Sequence, residues 1–330
     1  MLHNKLLLVY QSIEKIKAQK IDCVFIIDYY IFIYKKNMFE IEKIFSKDYS
    51  LRDGTYNCLP EDTKENKIKK QEIETYSNRA DNFNEQAMLS LSEELQSVIE
   101  PITKLPKDSV VLELAGGDGR FAFYLMNKGY TVIESDIAPG SVQKVKQIAE
   151  KNNIKNGIYA VLDAEDLPFK DNSLEAIFMV ASLHHLPNPQ KALKEVSRVL
   201  KNNGLFLILR EPASWQYYFF GPVFFILRKL LRKKNKNDFS LADDVTWGFS
   251  KRKLNKLLSP HFTDIKIKPV HYLRKIYTNW VVLKTKITKK KHFPNQKIEK
   301  ILKQIDDKFI AKIPLIKHLA WDFDIYTKKK

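Results

Sequence analysis

The rhythm of apolar and polar positions changes three times along the chain. Residues 53–74 (DGTYNCLPEDTKENKIKKQEIE) are polar and charged with no apolar period, which predicts a linker. Regular structure is expected from near Tyr76. Leu89, Leu91, Leu95, Val98 and Ile99 then fall at helical spacing and predict helix up to Pro101. From Val110 short apolar runs alternate with amphipathic ones. SVVLELA, YTVIESD, GIYAVLDA, LEAIFMVAS and LFLILREP read as strands, the first apolar enough to be covered on both faces. RFAFYLMNKG, PGSVQKVKQIAEKNN and NPQKALKEVSRVLKNNG read as helices, the first and last closed by Gly129 and Gly204. Strands alternating with helices predict right-handed crossovers and an α/β, doubly wound, mostly parallel sheet.

After Pro212 the pattern changes again. SWQYYFFGPVFFILRKLLRKKNK is aromatic and apolar, then basic. SKRKLNKLLSPHFTDIKIKPV predicts a helix followed by a strand, and WDFDIYTKK a closing strand. Between them Ile298, Ile301, Leu302, Ile305, Phe309 and Ile313 share one face of an amphipathic helix. The helical material between His271 and Ala320 is expected to form a cap between the last two strands. Three regions follow: 1–74, an extension and linker with no assigned function; 75–212, the core; and 213–330, lid and cap helices with the last two strands.

Charge narrows the partners. Lys and Arg number 56 against 39 Asp and Glu, a net +17 concentrated in the C-terminal third. That points to an anionic partner, whether nucleic acid, an anionic membrane face or an acidic substrate, although a Lys/Asn/Ile-rich composition alone also makes a chain basic. The two cysteines, Cys23 and Cys58, are far apart with no CxxC, so neither a disulfide framework nor a thiolate zinc site is expected, and no metal. CVFIIDYYIFIY (23–34) is shorter than the roughly 20 residues of a membrane span and Asp28 interrupts it. No secretory signal pattern opens the chain, and Met38 offers an alternative start. A cytoplasmic location is expected, with possible contact at the inner membrane face.

The chemistry gathers where the alternation begins. GDGRFA after a strand fits G-x-G-x-x-A, a dinucleotide fingerprint that is weak alone. Asp136 ends the second strand, where an acid can accept hydrogen bonds from ribose hydroxyls. Glu113, ending the first, argues against a pyrophosphate, which a carboxylate would repel from a helix N-terminus. S-adenosylmethionine has no phosphate and carries an ammonium and a sulfonium, which the acid would attract. Asp163 ends the third strand, so three acids fall on one edge of the sheet. One can reach an amino-acid end, one a ribose and one an adenine amine.

VVLELAGGDGR, VIESDIAP, VLDAEDLPFKDNSLEAIF and SLHHLPNPQKALKEVSRVLKNNGLFLILREP, in that order, resemble the class I S-adenosylmethionine-dependent methyltransferases, in particular the group containing ubiquinone/menaquinone C-methyltransferases. The resemblance covers about residues 76–212. It implies a Rossmann-like sheet of seven strands with an antiparallel last strand, and S-adenosylmethionine as cofactor. It further implies that Glu113, Ala115, Gly116, Gly117 and Gly119 hold the methionine portion, and Asp136 the ribose with Ile137 against the adenine. Asp163 and Ala164 would bind the adenine edge, Ala181 and Ser182 would line the pocket, and Tyr76 and Arg79 would lie in a helix that closes over it. Ala115 stands where the family usually has glycine, and Glu175 where it has Asp.

Methyl transfer from a sulfonium needs mainly positioning and exclusion of water, with a base only where the acceptor must lose a proton. His184 or His185, following the fourth strand, and secondarily Glu211, ending the fifth, are the candidate bases. A small or lipid-like acceptor, methylated at O, C or N, is expected beneath the aromatic stretch, walled by Phe220, Phe224 and Phe225. RNA gripped by the basic C-terminal part is an alternative, although ASLHHLPN stands where amino-methylating enzymes have Asn-Pro-Pro-aromatic. A non-catalytic nucleotide-binding or NAD-binding protein is a third.

Overall fold

The apolar runs pair in one sheet whose carboxyl edge collects the acids. The computed structural model describes residues 43–330 except 61, 64, 65, 220–247, 289, 291 and 315. Lys47–Lys330 form one compact unit, to which everything below belongs. Its strands are β1 (Ser50–Arg52), β2 (Thr55–Asn57), β3 (Val110–Glu113), β4 (Thr131–Asp136), β5 (Gly157–Val161), β6 (Leu174–Val180), β7 (Leu200–Pro212), β8 (Phe262–Val270) and β9 (Asp322–Lys329). The order across the sheet is β1-β2-β5-β4-β3-β6-β7-β9-β8. Neighbours from β2 to β7 run parallel. β9 is antiparallel to both β7 and β8. Strand succession reverses beside β3, between β4 and β6, and that switch point opens a crevice at the strands' carboxyl ends.

The doubly wound fold and the antiparallel last strand agree with the sequence, but the described residues form nine strands rather than seven. The additional pair is a hairpin at the β5 edge. Asp53 (φ 49°) and Gly54 (φ 70°) make its two-residue loop, the primed-turn conformation that Asp-Gly favours.

The helices are α1 (Lys67–Arg79), α2 (Glu85–Leu89), α3 (Glu93–Thr103), α4 (Arg120–Asn127), α5 (Pro139–Lys151), α6 (Pro189–Val199), α7 (Lys251–Leu258), α8 (Leu273–Thr288) and α9 (Gln296–Lys308). α1 lies mostly within the stretch read as linker. The single helical run expected up to Pro101 is instead divided, because Asn84 and Ser92 accept backbone N–H groups as N-caps of α2 and α3. Gly129 closes α4 as expected: with φ 87°, its N–H reaches Met126 O and that of Tyr130 reaches Leu125 O, the Schellman pattern. Gly204 does not close α6. The helix stops at Val199 and Asn203 takes the left-handed conformation.

Leu112, Val132, Ile133, Phe178 and Leu207 are among the fully buried residues of the strands. Glu175, longer than the aspartate expected there from the resemblance, accepts the N–H of Val110 at 2.8 Å and so ties β6 to the start of β3. The cap, α8 and α9, lies between β8 and β9 as expected. Asp306 of α9 accepts the N–H groups of Tyr272, Leu273 and Arg274 and thereby caps α8. A partly buried ion network roots the cap in the core. Glu94 of α3 meets Arg210 at 3.0 Å and Arg274 at 2.8 Å, and Asp322 meets His271 at 2.6 Å. Burial opposes ionisation of Glu94, but hydrogen bonds from His271 and Arg274 hold its carboxyl far below the usual range.

Candidate functional site

The loop from β3 to α4 turns through left-handed residues at Ala115 (φ 56°), Gly117 (φ 60°) and Gly119 (φ 65°). Only glycine adopts that region without steric cost, so Ala115 carries backbone strain of about 1 kcal/mol. The two glycines serve different ends. A Cβ at Gly119 would lie 2.5 Å from Val145 Cγ1, so Gly119 permits close packing of the loop on α5. A Cβ at Gly117 would meet nothing within 4 Å, and that backbone faces the crevice openly.

Glu113 sits beneath the loop rather than at its mouth. It is buried, and its carboxylate accepts the N–H of Ala122 at 2.9 Å, capping α4 from below. Burial, then the charge of Asp118, push its pKa well above the carboxylate range. Beside it Glu134 is fully buried, with neither oxygen hydrogen-bonded, and burial followed by the charge of Glu113 raises it likewise. A Cβ at Gly116 would lie 2.9 Å from Glu113 Cγ and 3.1 Å from Glu134 Oε1. Glycine at 116 therefore makes room for two carboxyl groups. Glu134 was not singled out from the sequence.

Asp136 does face the crevice. Its oxygens accept the N–H of Ala138 at 2.9 Å and of Gly117 at 3.0 Å, and burial raises its pKa. Asp163 lies across from it, held by Lys69 of α1 at 2.6 Å, and Lys69 also reaches Glu165 at 2.8 Å. Burial alone would lower the lysine, but hydrogen bonds to Asp163 and Glu165 outweigh it and raise the pKa.

Lys69, Glu72 and Tyr76 fall at i, i+3 and i+7 on α1 and together wall the crevice. Sequence reading recognised only Tyr76 of these. α1 is fixed by its packing on α5: a Cβ at Gly140 would lie 2.8 Å from Ser77 Cα, and Ser141 Oγ donates to Tyr76 O at 3.2 Å.

The two histidines part company. Glu211, fully buried, accepts the N–H groups of Ser182 and Leu183, each at 2.8 Å, and faces His184 Nδ1 at 3.0 Å. It anchors the turn after β6 and His184 with it. His185 turns into the crevice, with Nδ1 at 3.3 Å from Glu72 and Nε2 at 3.5 Å from Tyr76 Oη.

One cavity thus gathers Tyr76, Ala115, Gly116, Gly117, Asp136, Ile137, Asp163, Ala164, Ala181, Ser182 and His185. Glu113, Gly119, Arg79, His184 and Glu211 are not among its lining residues. Glu113 and Gly119 support its floor, Arg79 stacks on Tyr76 at 5.1 Å, and Glu211 and His184 brace the turn. Phe220, Phe224 and Phe225 lie outside the described residues. Among the described residues no group of three or more His, Cys, Asp or Glu is placed to hold a metal ion.

Part of the chain is similar to known proteins. Residues 112–208 match a family model described as a methyltransferase domain. A ubiquinone/menaquinone biosynthesis C-methyltransferase of Zymomonas mobilis is 35% identical over 106 residues, 32% of this chain and 44% of that protein. An uncharacterized methyltransferase of Bacillus subtilis is 27% identical over 138 residues, 42% of this chain and 54% of that protein. The chain spans about half the length of the curated relatives it matches. A Haemonchus contortus phosphoethanolamine N-methyltransferase, solved with S-adenosyl-L-methionine, superposes with a TM-score of 0.50 at 14% identity, over 77% of this chain and 60% of that one. That likeness is one of fold.

Proposed function

We propose that this chain, whose core is a class I S-adenosylmethionine-dependent methyltransferase domain, transfers a methyl group to a small or lipid-like acceptor. The observation that carries the reading is the meeting of the open Gly117 backbone with Asp136 at the sheet's switch point. The cavity suits a cationic nucleoside. Its walls carry Glu72, Asp136 and Asp163 against Lys69, and no loop side chain at position 117 obstructs a ligand. Asp136 would hold the ribose, Asp163 and Ala164 the adenine edge with Ile137 on its face, and Ala115–Gly117 with Ala181 and Ser182 the methionine portion. Glu113 would act from below by fixing the loop, rather than by touching the ammonium.

S-adenosylmethionine supplies an activated methyl group on a good leaving group, so the chain's task is alignment and exclusion of water. Where the acceptor must lose a proton, His185 is the base this geometry favours. Its Nε2 and the hydroxyl of Tyr76 share the cavity, while Glu72 orients the ring through Nδ1. Glu211 and His184 would hold the turn that carries it. The relatives named for ubiquinone and menaquinone biosynthesis suggest carbon methylation of a quinone-like ring as the finer reading.

Titration with S-adenosylmethionine and NAD side by side tests the cofactor, with Asp136→Ala as control. Binding of S-adenosylmethionine alone, lost in the variant, is the expected result. Binding of NAD alone, or of neither, overturns it. Transfer of labelled methyl to demethylated quinol precursors then tests the acceptor.

A further inference from the structure

The cap carries its apolar surface on the outside. On α8, Leu273, Ile276, Trp280 and Leu283 fall at i, i+3, i+7 and i+10 and are all exposed, Ile276 by 52% and Trp280 by 60%. The helix turns Tyr272, just before its first residue, and Val281 inward instead. On α9 and at its C-cap, Ile298, Ile301 and Phe309 belong to the face whose periodicity predicts burial, yet Ile301 is 56% and Phe309 65% exposed. The same helix buries Asp306, which caps α8. A polar residue thus faces in and an apolar stripe faces out. Scattered exposed apolar residues are ordinary, but two stripes on adjacent helices mark an interaction surface.

Charge selects the occupant. Residues 273–321 hold thirteen Lys and Arg against three Asp and Glu, a net +10 of the chain's +17. One of the three acids, Asp306, is buried. Lys284, Lys297 and Lys300 are exposed beside the apolar stripes. Two copies of such a surface repel one another, and an acidic protein groove would not need aliphatic stripes of this length. Nucleic acid would satisfy the lysines, but not Ile276, Leu283, Ile298 and Ile301, which offer no flat ring for a base to stack on. An anionic bilayer satisfies both: aliphatic and aromatic side chains enter the interface while lysines meet the headgroups.

We propose that α8 and α9 dock the protein on an anionic membrane surface, with Ile276, Trp280, Ile301 and Phe309 inserted in the interface. Among the described residues no helix is long and apolar enough to cross a membrane, so the contact is peripheral. The proposal does not depend on which acceptor is methylated, or on whether one is.

The test is flotation of the full chain with vesicles of phosphatidylcholine alone and of equal parts phosphatidylcholine and phosphatidylglycerol, at low and raised salt. Binding to the anionic vesicles should exceed binding to the neutral ones by about ten-fold or more and fall with salt. Ile276→Ser with Trp280→Ser, and separately Ile301→Ser with Phe309→Ser, should each weaken it about ten-fold with unchanged circular dichroism and S-adenosylmethionine binding. Lipids brominated on the acyl chain should quench wild-type fluorescence more than that of Trp280→Phe. Equal binding to both vesicles, or none, overturns the proposal. So does binding that both apolar variants retain, quenching that Trp280→Phe leaves unchanged, or displacement of anionic vesicles by polyuridylate with affinity indifferent to those variants.

Discussion

Replacing Lys69 by Met should be among the most costly single changes in the chain outside its apolar core. The ammonium lies 2.6 Å from Asp163 and 2.8 Å from Glu165, and all three side chains are at least nine-tenths buried. At an effective dielectric of about 20 each contact is worth roughly 6 kcal/mol before desolvation. Desolvation of the three ions cancels much of that, but it is already incurred by the two acids and is not refunded when the lysine goes. Breaking a buried pair from one side costs about 3–5 kcal/mol. For a unit of this size that is a fall in Tm of roughly 5–8 °C. Thermal or urea unfolding measures it. The sign with pH is also fixed. Lys69 has a raised pKa in the fold, so its contribution is complete below the ordinary lysine range and is lost only as pH rises through the raised value. The gap between wild type and variant should therefore be constant from about pH 6 to 9. Adding Glu165→Gln should recover part of the loss. A Tm change under about 2 °C, or a gap that varies between about pH 6 and 9, would refute the reasoning.

Five other changes probe the same site. Glu134 has a raised pKa in the fold, so its stabilisation is complete below the usual glutamate range and is lost as pH rises through the raised value. Glu134→Gln should remove that loss, flattening stability against pH above about 4.5 by up to about 1.4 kcal/mol per pH unit; equal slopes in calorimetry would count against it. Gly117→Ala should cost only about 1 kcal/mol in urea unfolding while weakening S-adenosylmethionine binding, because its methyl group meets nothing but the cavity. Gly119→Ala should cost at least about 2 kcal/mol, because its methyl group meets Val145; equal destabilisation of the two would refute the division of labour. In a methyl-transfer assay His185→Gln should lower kcat by roughly 10²-fold or more, and Glu72→Gln by less, with KM for S-adenosylmethionine little changed in either.

The strands β3 to β7 were legible because each is a run of buried apolar residues bounded by turn residues. Asp136 and Asp163 were legible because strand ends in this topology point at one edge. α1 was not, and the reason is physical. Its inward face bears Lys69, Glu72 and Thr75, all buried; Lys69 and Glu72 wall the cavity, where Lys69 meets Asp163 and Glu165 instead of an apolar core. A helix whose inward side chains pair with buried acids has no apolar stripe to announce it. The β1–β2 hairpin escaped because three-residue strands carry no readable alternation, although Asp53-Gly54 was its signal. Glu113 was expected at the mouth of the loop and lies beneath it, because a sequence cannot say on which side of a loop a side chain lies. Nor could it separate His184, which Glu211 holds outside the cavity lining, from His185, which lines the cavity with Glu72 behind its ring.

The sheet is not assembled in the order in which it is written. β9 inserts between β7 and β8, so during synthesis those two strands have no common neighbour until residues 322–329 emerge, after the cap is complete. Meanwhile β7, with Phe206, Leu207, Ile208 and Leu209 destined for burial, presents an unpaired edge. Such an edge is a template for wrong partners. A nascent chain arrested between Val270 and Asp322 would therefore leave that edge open to wrong partners, a hazard that ends when β9 pairs with it.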